Sequence, residues 1–86
     1  MKIQLNTPIE HDGKTYSELT FREAETGDLM AADIFEGKNS KSIAILACMA
    51  EMPLPAFRKI KLRDLNRIMD EAAPLMGEQG PATTGA

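Results

Sequence analysis

The sequence predicts an α+β fold: a small single domain with an N-terminal β-hairpin packed on three to four helices, then a disordered C-terminal tail. Three observations carry that reading. Two alternating segments flank Asp12-Gly13, an unbroken apolar run fills Ile43–Ala50, and apolar residues recur at helical spacing from Leu62 onward. The domain is expected to span residues 1–76 and the tail residues 77–86. At 86 residues and 43% hydrophobic content the chain is globular but small. It buries only about 60–65% of its extended surface, so core changes are costly.

The hairpin comes first. Ile3 and Leu5 share one face of an alternating strand, as do Leu19 and Phe21, and Asp-Gly between such segments is a strong short-range turn signal. A plain two-residue turn at Asp12-Gly13 sets Leu5 opposite Thr20 and throws Leu19 and Phe21 onto the wrong face. The expected pairing is therefore Leu5 with Leu19 and Ile3 with Phe21. Two routes reach it. One is a three-residue loop, His11-Asp12-Gly13, with Gly13 left-handed in a bulge. The other is a two-residue turn with a bulge near Thr7-Pro8, where Pro8 cannot donate to the ladder. A lone hairpin is marginal in water, so its apolar face needs the helices.

Thr26 is a suitable N-cap for a first helix over 27–35, with Asp28 favourable in its first turn and Gly37 as the C-cap. Leu29, Met30, Ile34 and Phe35 supply its apolar side. The run Ile43–Ala50 is too short for a bilayer, which takes about 20 residues, and must be buried in protein. Its three alanines, Leu46 and Met49 favour helix over strand. A central helix over 41–52 follows, with Asn39 or Ser40 as N-cap and Pro53 closing it. Pro55 suits the first position of a short helical turn over 56–60. The last helix, 62–73, places Leu62, Leu65, Met69, Ala72 and Met76 on one stripe and Arg63, Asn66, Arg67, Asp70 and Glu71 in water. Pro74 bars regular continuation. From Gly77 onward no apolar residue exceeds Ala or Pro, which cannot offset the ordering entropy.

Chemistry is thinly represented. The lone Cys48 excludes an internal disulfide and a Cys-based zinc site, and its apolar setting disfavours a reactive thiolate. His11, the single histidine, sits at a hairpin tip without the partner and pocket that a general base needs. Glu23, Glu25 and Asp28 gather at a helix start, where the dipole alone favours them. No catalytic residue, metal site or cofactor is expected, and the protein reads as non-enzymatic. Met1-Lys2 leads into an alternating segment rather than a signal sequence, and no stretch spans a membrane, so a cytosolic location is expected.

Charge is uneven. Residues 1–36 carry eight acidic and three basic side chains, a balance of −5, while residues 37–86 carry five acidic and seven basic, a balance of +2. Arg58, Lys59, Lys61, Arg63 and Arg67 form a basic segment that offers a second reading, a small nucleic-acid-binding regulator. An overall pI near 5.0 and the lack of interleaved aromatics speak against it. A solvated basic face is the more ordinary account.

The order of motifs resembles a family. Pro8-Ile9-Glu10-His11-Asp12-Gly13-Lys14, the strand ending in Arg22-Glu23, and Gly27-Asp28-Leu29 are similar to the opening of Mu-like and P2-like phage tail assembly chaperones. The apolar middle helix, the Leu54-Pro55 corner and Leu62, Asp64 and Leu65 continue the likeness over residues 2–75. Ala24 stands where many members carry Pro. The resemblance implies a non-enzymatic assembly factor that binds the tape-measure protein, helps recruit tail-tube subunits in the host cytoplasm, and is usually absent from the finished virion. Many members are also made in a longer form by ribosomal frameshifting, which makes such a form of this chain a further implied partner. A chaperone for an aggregation-prone helix needs adaptable apolar surface. Met69, Leu75 and Met76, beside the Pro74 break, are the candidate partner-binding residues. The same three side chains serve equally well as a cap on the core.

Overall fold

In the computed structural model, which describes residues 1–77, β1 (Lys2–His11) and β2 (Lys14–Thr20) form a two-stranded antiparallel sheet. Four helices follow: α1 (Thr26–Ala32), α2 (Lys38–Met49), α3 (Leu54–Phe57) and α4 (Leu62–Ala72). A 3-10 turn, Ala73–Met76, ends on Gly77 in the left-handed conformation. The predicted α+β architecture is the observed one. The tail expected from Gly77 lies, apart from Gly77 itself, outside the described residues.

The hairpin departs from expectation in its register. Asp12 and Gly13 both have positive φ (53° and 76°), the signature of a two-residue turn, and His11 pairs with Lys14 and Ile9 with Tyr16. Beyond Ile9 the ladder shifts, so that Gln4 pairs with Glu18 and Ile3 with Leu19. Four residues of β1, Leu5 to Pro8, stand opposite Ser17 alone. The expected Leu5–Leu19 and Ile3–Phe21 pairings are therefore wrong, and the three-residue loop is not used. The slip is three residues from the plain turn rather than one. Both numbers are odd, and either restores Leu19 and Phe21 to the apolar face. Ile3, Leu5, Ile9, Leu19 and Phe21 are all buried. Phe21 N–H donates to Met1 O (2.7 Å) and the N-terminal ammonium to Phe21 O (3.0 Å), which closes the open end.

The central helix begins one turn earlier than predicted. Gly37, at φ 92°, is the N-cap of α2 rather than the end of the first helix, and Asn39 and Ser40 lie inside the helix. The exposed lead Lys38-Asn39-Ser40 carries no apolar signal that would mark the start. From Ile43 to Ala50 every residue is buried or half-buried, and Leu46, Ala47 and Met49 join the core, but α2 packs mainly against α1 and α3 while the hairpin meets α3 and α4, so the run is one wall of the core rather than a post around which every element packs. The helix ends at Glu51, left-handed at φ 54°. Glu51 N–H reaches Cys48 O and Met52 N–H reaches Ala47 O, both at 3.0 Å, the two bonds of a Schellman end. The next turn is 54–57 rather than 56–60, with Pro55 inside it. Leu46, Met49, Phe57 and Ile68 join the buried hairpin face in one core.

Candidate functional site

Two buried aspartates fix how α1 and α4 are rotated, and so decide which apolar side chains are left facing outward. Both occupy the third position of their helix, where a carboxylate also suits the dipole.

Asp64 is 1% exposed. Its Oδ1 accepts Asn6 N–H (3.2 Å) and Arg67 Nη2 (3.0 Å), and its Oδ2 accepts Thr7 N–H (3.1 Å). The bulge in β1 breaks the ladder and leaves these two amides needing acceptors. Asp64 supplies them from α4. Arg67 also donates to Gln4 O at 2.6 Å, so that both members of the pair grip the bulged strand. Burial pushes the Asp64 carboxyl up, but hydrogen bonds from Thr7, Arg67 and Asn6 together outweigh it and hold the group below the usual carboxylate range. Inward rotation of Asp64 brings Ile68 and Ala72, four and eight residues on, into the core. Leu62, expected on the buried stripe, is instead 72% exposed, and Arg67, expected in water, is half-buried.

Asp28 plays the corresponding part in α1. Arg22 binds it with two parallel bonds, Nη1 to Oδ2 at 2.8 Å and Nη2 to Oδ1 at 2.9 Å, and Asp28 Oδ2 also accepts Glu25 N–H at 2.8 Å. The Arg22 hydrogen bonds hold the Asp28 carboxyl well below its ordinary value against the opposing effect of burial. Arg22 Nη2 further donates to Cys48 O (3.1 Å), and its backbone N–H to Met49 O (3.2 Å). A cation thus sits at the C-terminal end of α2, where the dipole favours it, and shares the Cys48 carbonyl with the Glu51 N–H. One arginine joins the strand exit, the start of α1 and the end of α2. With Asp28 and Ala32 turned inward, Leu29 and Met30, expected to pack the first helix, point away and are 58% and 71% exposed; α1 ends at Ala32 rather than Phe35, so Ile34, 82% exposed, and half-buried Phe35 lie beyond it.

The residues singled out from the sequence fall in different places. Met69, Leu75 and Met76 are half-buried and pack against the core. Met69 lines a shallow groove of about 180 Å³ between α2 and α4 with Ile43, Leu62 and Leu65. Met76 lines another, of about 210 Å³, with Leu29, Ile45 and Ala24. Leu75 lines neither, and its carbonyl instead accepts Ala24 N–H at 2.8 Å. The three do not form one pocket. His11 stays at the hairpin tip, 3.6 Å from Asp12. In the basic segment Lys59 donates to Glu10 O (2.8 Å) and Arg67 to Gln4 O, so two of its five cations serve the hairpin. Arg58, Lys61 and Arg63 remain exposed. Sequence reasoning missed the apolar surface of α1. The signal that could have found it is Asp28, whose need for Arg22 sets the helix face.

The motifs behind the resemblance now have positions. Asp12-Gly13 is the turn, Arg22 and Asp28 form the junction of strand and helices, and Asp64 holds the bulge. Those residues build the frame and leave the apolar grooves around it open. No helix among the described residues is long and apolar enough to cross a membrane. No curated protein and no solved structure gives a significant match to the chain. A family model described as phage tail assembly chaperone proteins, E, or 41 or 14, matches residues 2–77, and with the match covering nearly the whole chain, the protein belongs to that family of tail assembly chaperones.

Proposed function

We propose that the chain acts without catalysis as a tail assembly chaperone that binds the tape-measure protein, keeps it from aggregating, and helps recruit tail-tube subunits. It works in the host cytoplasm and leaves before the virion is complete. The observation that carries this reading is apolar surface beyond what the core needs. Leu29, Met30, Ile34 and Leu62 are exposed, and grooves at Met69 and Met76 run alongside α2. An amphipathic helix is recognised by laying its apolar face into such grooves, and flexible Met side chains adapt to varied sequences. Met69, Leu75 and Met76 are the proposed contacts, with the two methionines meeting the partner and Leu75 holding the 3-10 turn beside them.

The test is to mix the purified chain with fragments of the tape-measure protein and follow complex formation at low and high salt. Apolar docking persists at high salt, whereas binding through phosphates weakens steeply. Failure to bind any tape-measure fragment would sink the proposal.

A further inference from the structure

The groove at Met76 has an apolar floor and an acidic rim, and we infer that it takes a helix whose apolar side chains are flanked by Lys or Arg. The inference rests on the chaperone reading and names the kind of segment that the groove selects in the tape-measure protein. Ala24, Leu29, Ile45 and Met76 form the floor of this groove of about 210 Å³, and Glu25 and Thr26 complete its lining. Glu25 caps the start of α1 and Asp33 caps its end. Each stands four residues from Leu29, so a carboxylate lies about one helical turn to either side of that exposed side chain. Glu23, on the other side of Ala24 in the chain, is exposed as well.

Among the described residues, the cations bonded to α1 and its caps are Arg22 and Lys41, and neither cancels the rim. Arg22 is engaged by Asp28, Glu51 and the Cys48 carbonyl. Lys41 lies 3.5 Å from the Asp33 carboxylate, which is 82% exposed, and a long exposed pair of this kind leaves Asp33 open to a partner's cation. The Met69 groove differs, since Asn39 and Asn66 supply its polar lining and no charged residue lines it. The Met76 groove is smaller than the roughly 300–1,000 Å³ of a small-molecule site and suits one or two side chains of a docked helix. Burial of those side chains against Leu29 and Met76 supplies affinity that salt does not remove. The rim selects cations at the flanks and speeds the encounter.

Fluorescence anisotropy with two labelled peptides tests this. Both are about 20 residues long, enough to hold helix in water, and share one face of Leu and Ala. One carries Lys at the flanks of that face and the other Glu. Wild type is expected to bind the Lys peptide at least about tenfold more tightly than the Glu peptide. That affinity is expected to fall several-fold as salt is raised and still persist. Leu29→Ser is expected to weaken both peptides. Glu25→Gln plus Asp33→Asn removes charge and little volume, and is expected to bring the two peptides within about threefold of each other. The same change in net charge on the hairpin, Glu10→Gln plus Glu18→Gln, is expected to leave the preference in place. All of these sites are exposed, so melting curves are expected to match wild type. Equal binding of the two peptides to wild type, binding of neither, or a preference lost as fully in the hairpin variant overturns the inference. So does self-association of wild type that Leu29→Ser abolishes, which puts a second copy in the groove. A tape-measure fragment that binds wild type and the Glu25→Gln plus Asp33→Asn variant alike overturns it while the chaperone reading stands. Preference for the Lys peptide without binding of any tape-measure fragment upholds the groove and sinks the tape-measure reading.

Discussion

Asp64 Oδ2 accepts the backbone N–H of Thr7 at 3.1 Å, a bond between residues 57 apart in the chain. It explains how a strand can afford to lose its ladder over four residues: the freed amides of Asn6 and Thr7 meet a carboxylate that is itself charge-paired with Arg67. The bulge and the aspartate are two halves of one feature.

Removing Asp64 is therefore expected to be costly. Asp64→Ala leaves two amides and a guanidinium without their acceptor and is predicted to lose about 3 kcal/mol in chemical denaturation. Hydrogen exchange at Asn6 and Thr7 is expected to quicken more than elsewhere in β1. A stability change under about 0.5 kcal/mol, the size of an ordinary surface substitution, would contradict the clamp.

Acid is expected to release both junctions. The Asp28 and Asp64 carboxyls are held below their ordinary values, Asp28 chiefly by the Arg22 hydrogen bonds and Asp64 by the bonds that outweigh its burial. A depressed folded pKa contributes stability that is fully present above the unfolded value, about 3.9, and is lost as pH falls through the folded one. Denaturation midpoints are predicted to show no contribution from these groups to the pH dependence between pH 7 and 5, then a steep fall below about pH 4. Asp64→Asn is expected to flatten that acid limb.

Glu51 is the clearest opportunity for stabilisation. It holds the left-handed position of the Schellman end at φ 54°, where glycine is the usual occupant. Its ion pair with Arg22 is long, 3.4 Å, and exposed on the Glu51 side, and such pairs contribute little. Glu51→Gly is predicted to raise stability by about 0.5 kcal/mol, the relief of left-handed strain exceeding the added chain entropy. A drop in melting temperature would show that the ion pair matters more than the backbone.

Leu46 tests the packing of α2. It is wholly buried, and Leu46→Ala is predicted to cost about 2–5 kcal/mol by denaturant titration. A variant that unfolds like wild type would remove α2 from the core.

The elements were legible in the sequence wherever local chemistry set them. Asp12-Gly13 fixed the turn and Pro74 broke the last helix into a 3-10 turn, whereas the middle helix stops at Met49, in the Schellman end at Glu51, rather than running on to Pro53. Helix rotation was less legible. Leu62, Leu65 and Met69 look like the inner stripe of α4, yet the centre of its buried face is Asp64, Ile68 and Ala72. Leu29 and Met30 look like the inner side of α1, yet Asp28 and Ala32 face in. In each case a buried aspartate turns the helix, and its partners lie outside the helical repeat: Arg22 six residues back, Thr7 across the whole fold. Hydrophobic periodicity ranks apolar residues among themselves and takes no account of a carboxylate drawn inward. The same physics hid the exposed surface of α1, whereas the Pro74 break drew notice to Met69 and Met76, each of which lines a shallow groove.

The central claim is that the motif residues build the frame while partner binding rests on apolar side chains outside it. Isothermal titration of a tape-measure fragment into wild type and into Met69→Asp plus Met76→Asp tests it most directly, at a temperature where both melt cooperatively. The account predicts at least a tenfold loss of affinity, or about 1.4 kcal/mol, with the fold retained. Wild-type affinity in a folded double variant would contradict it.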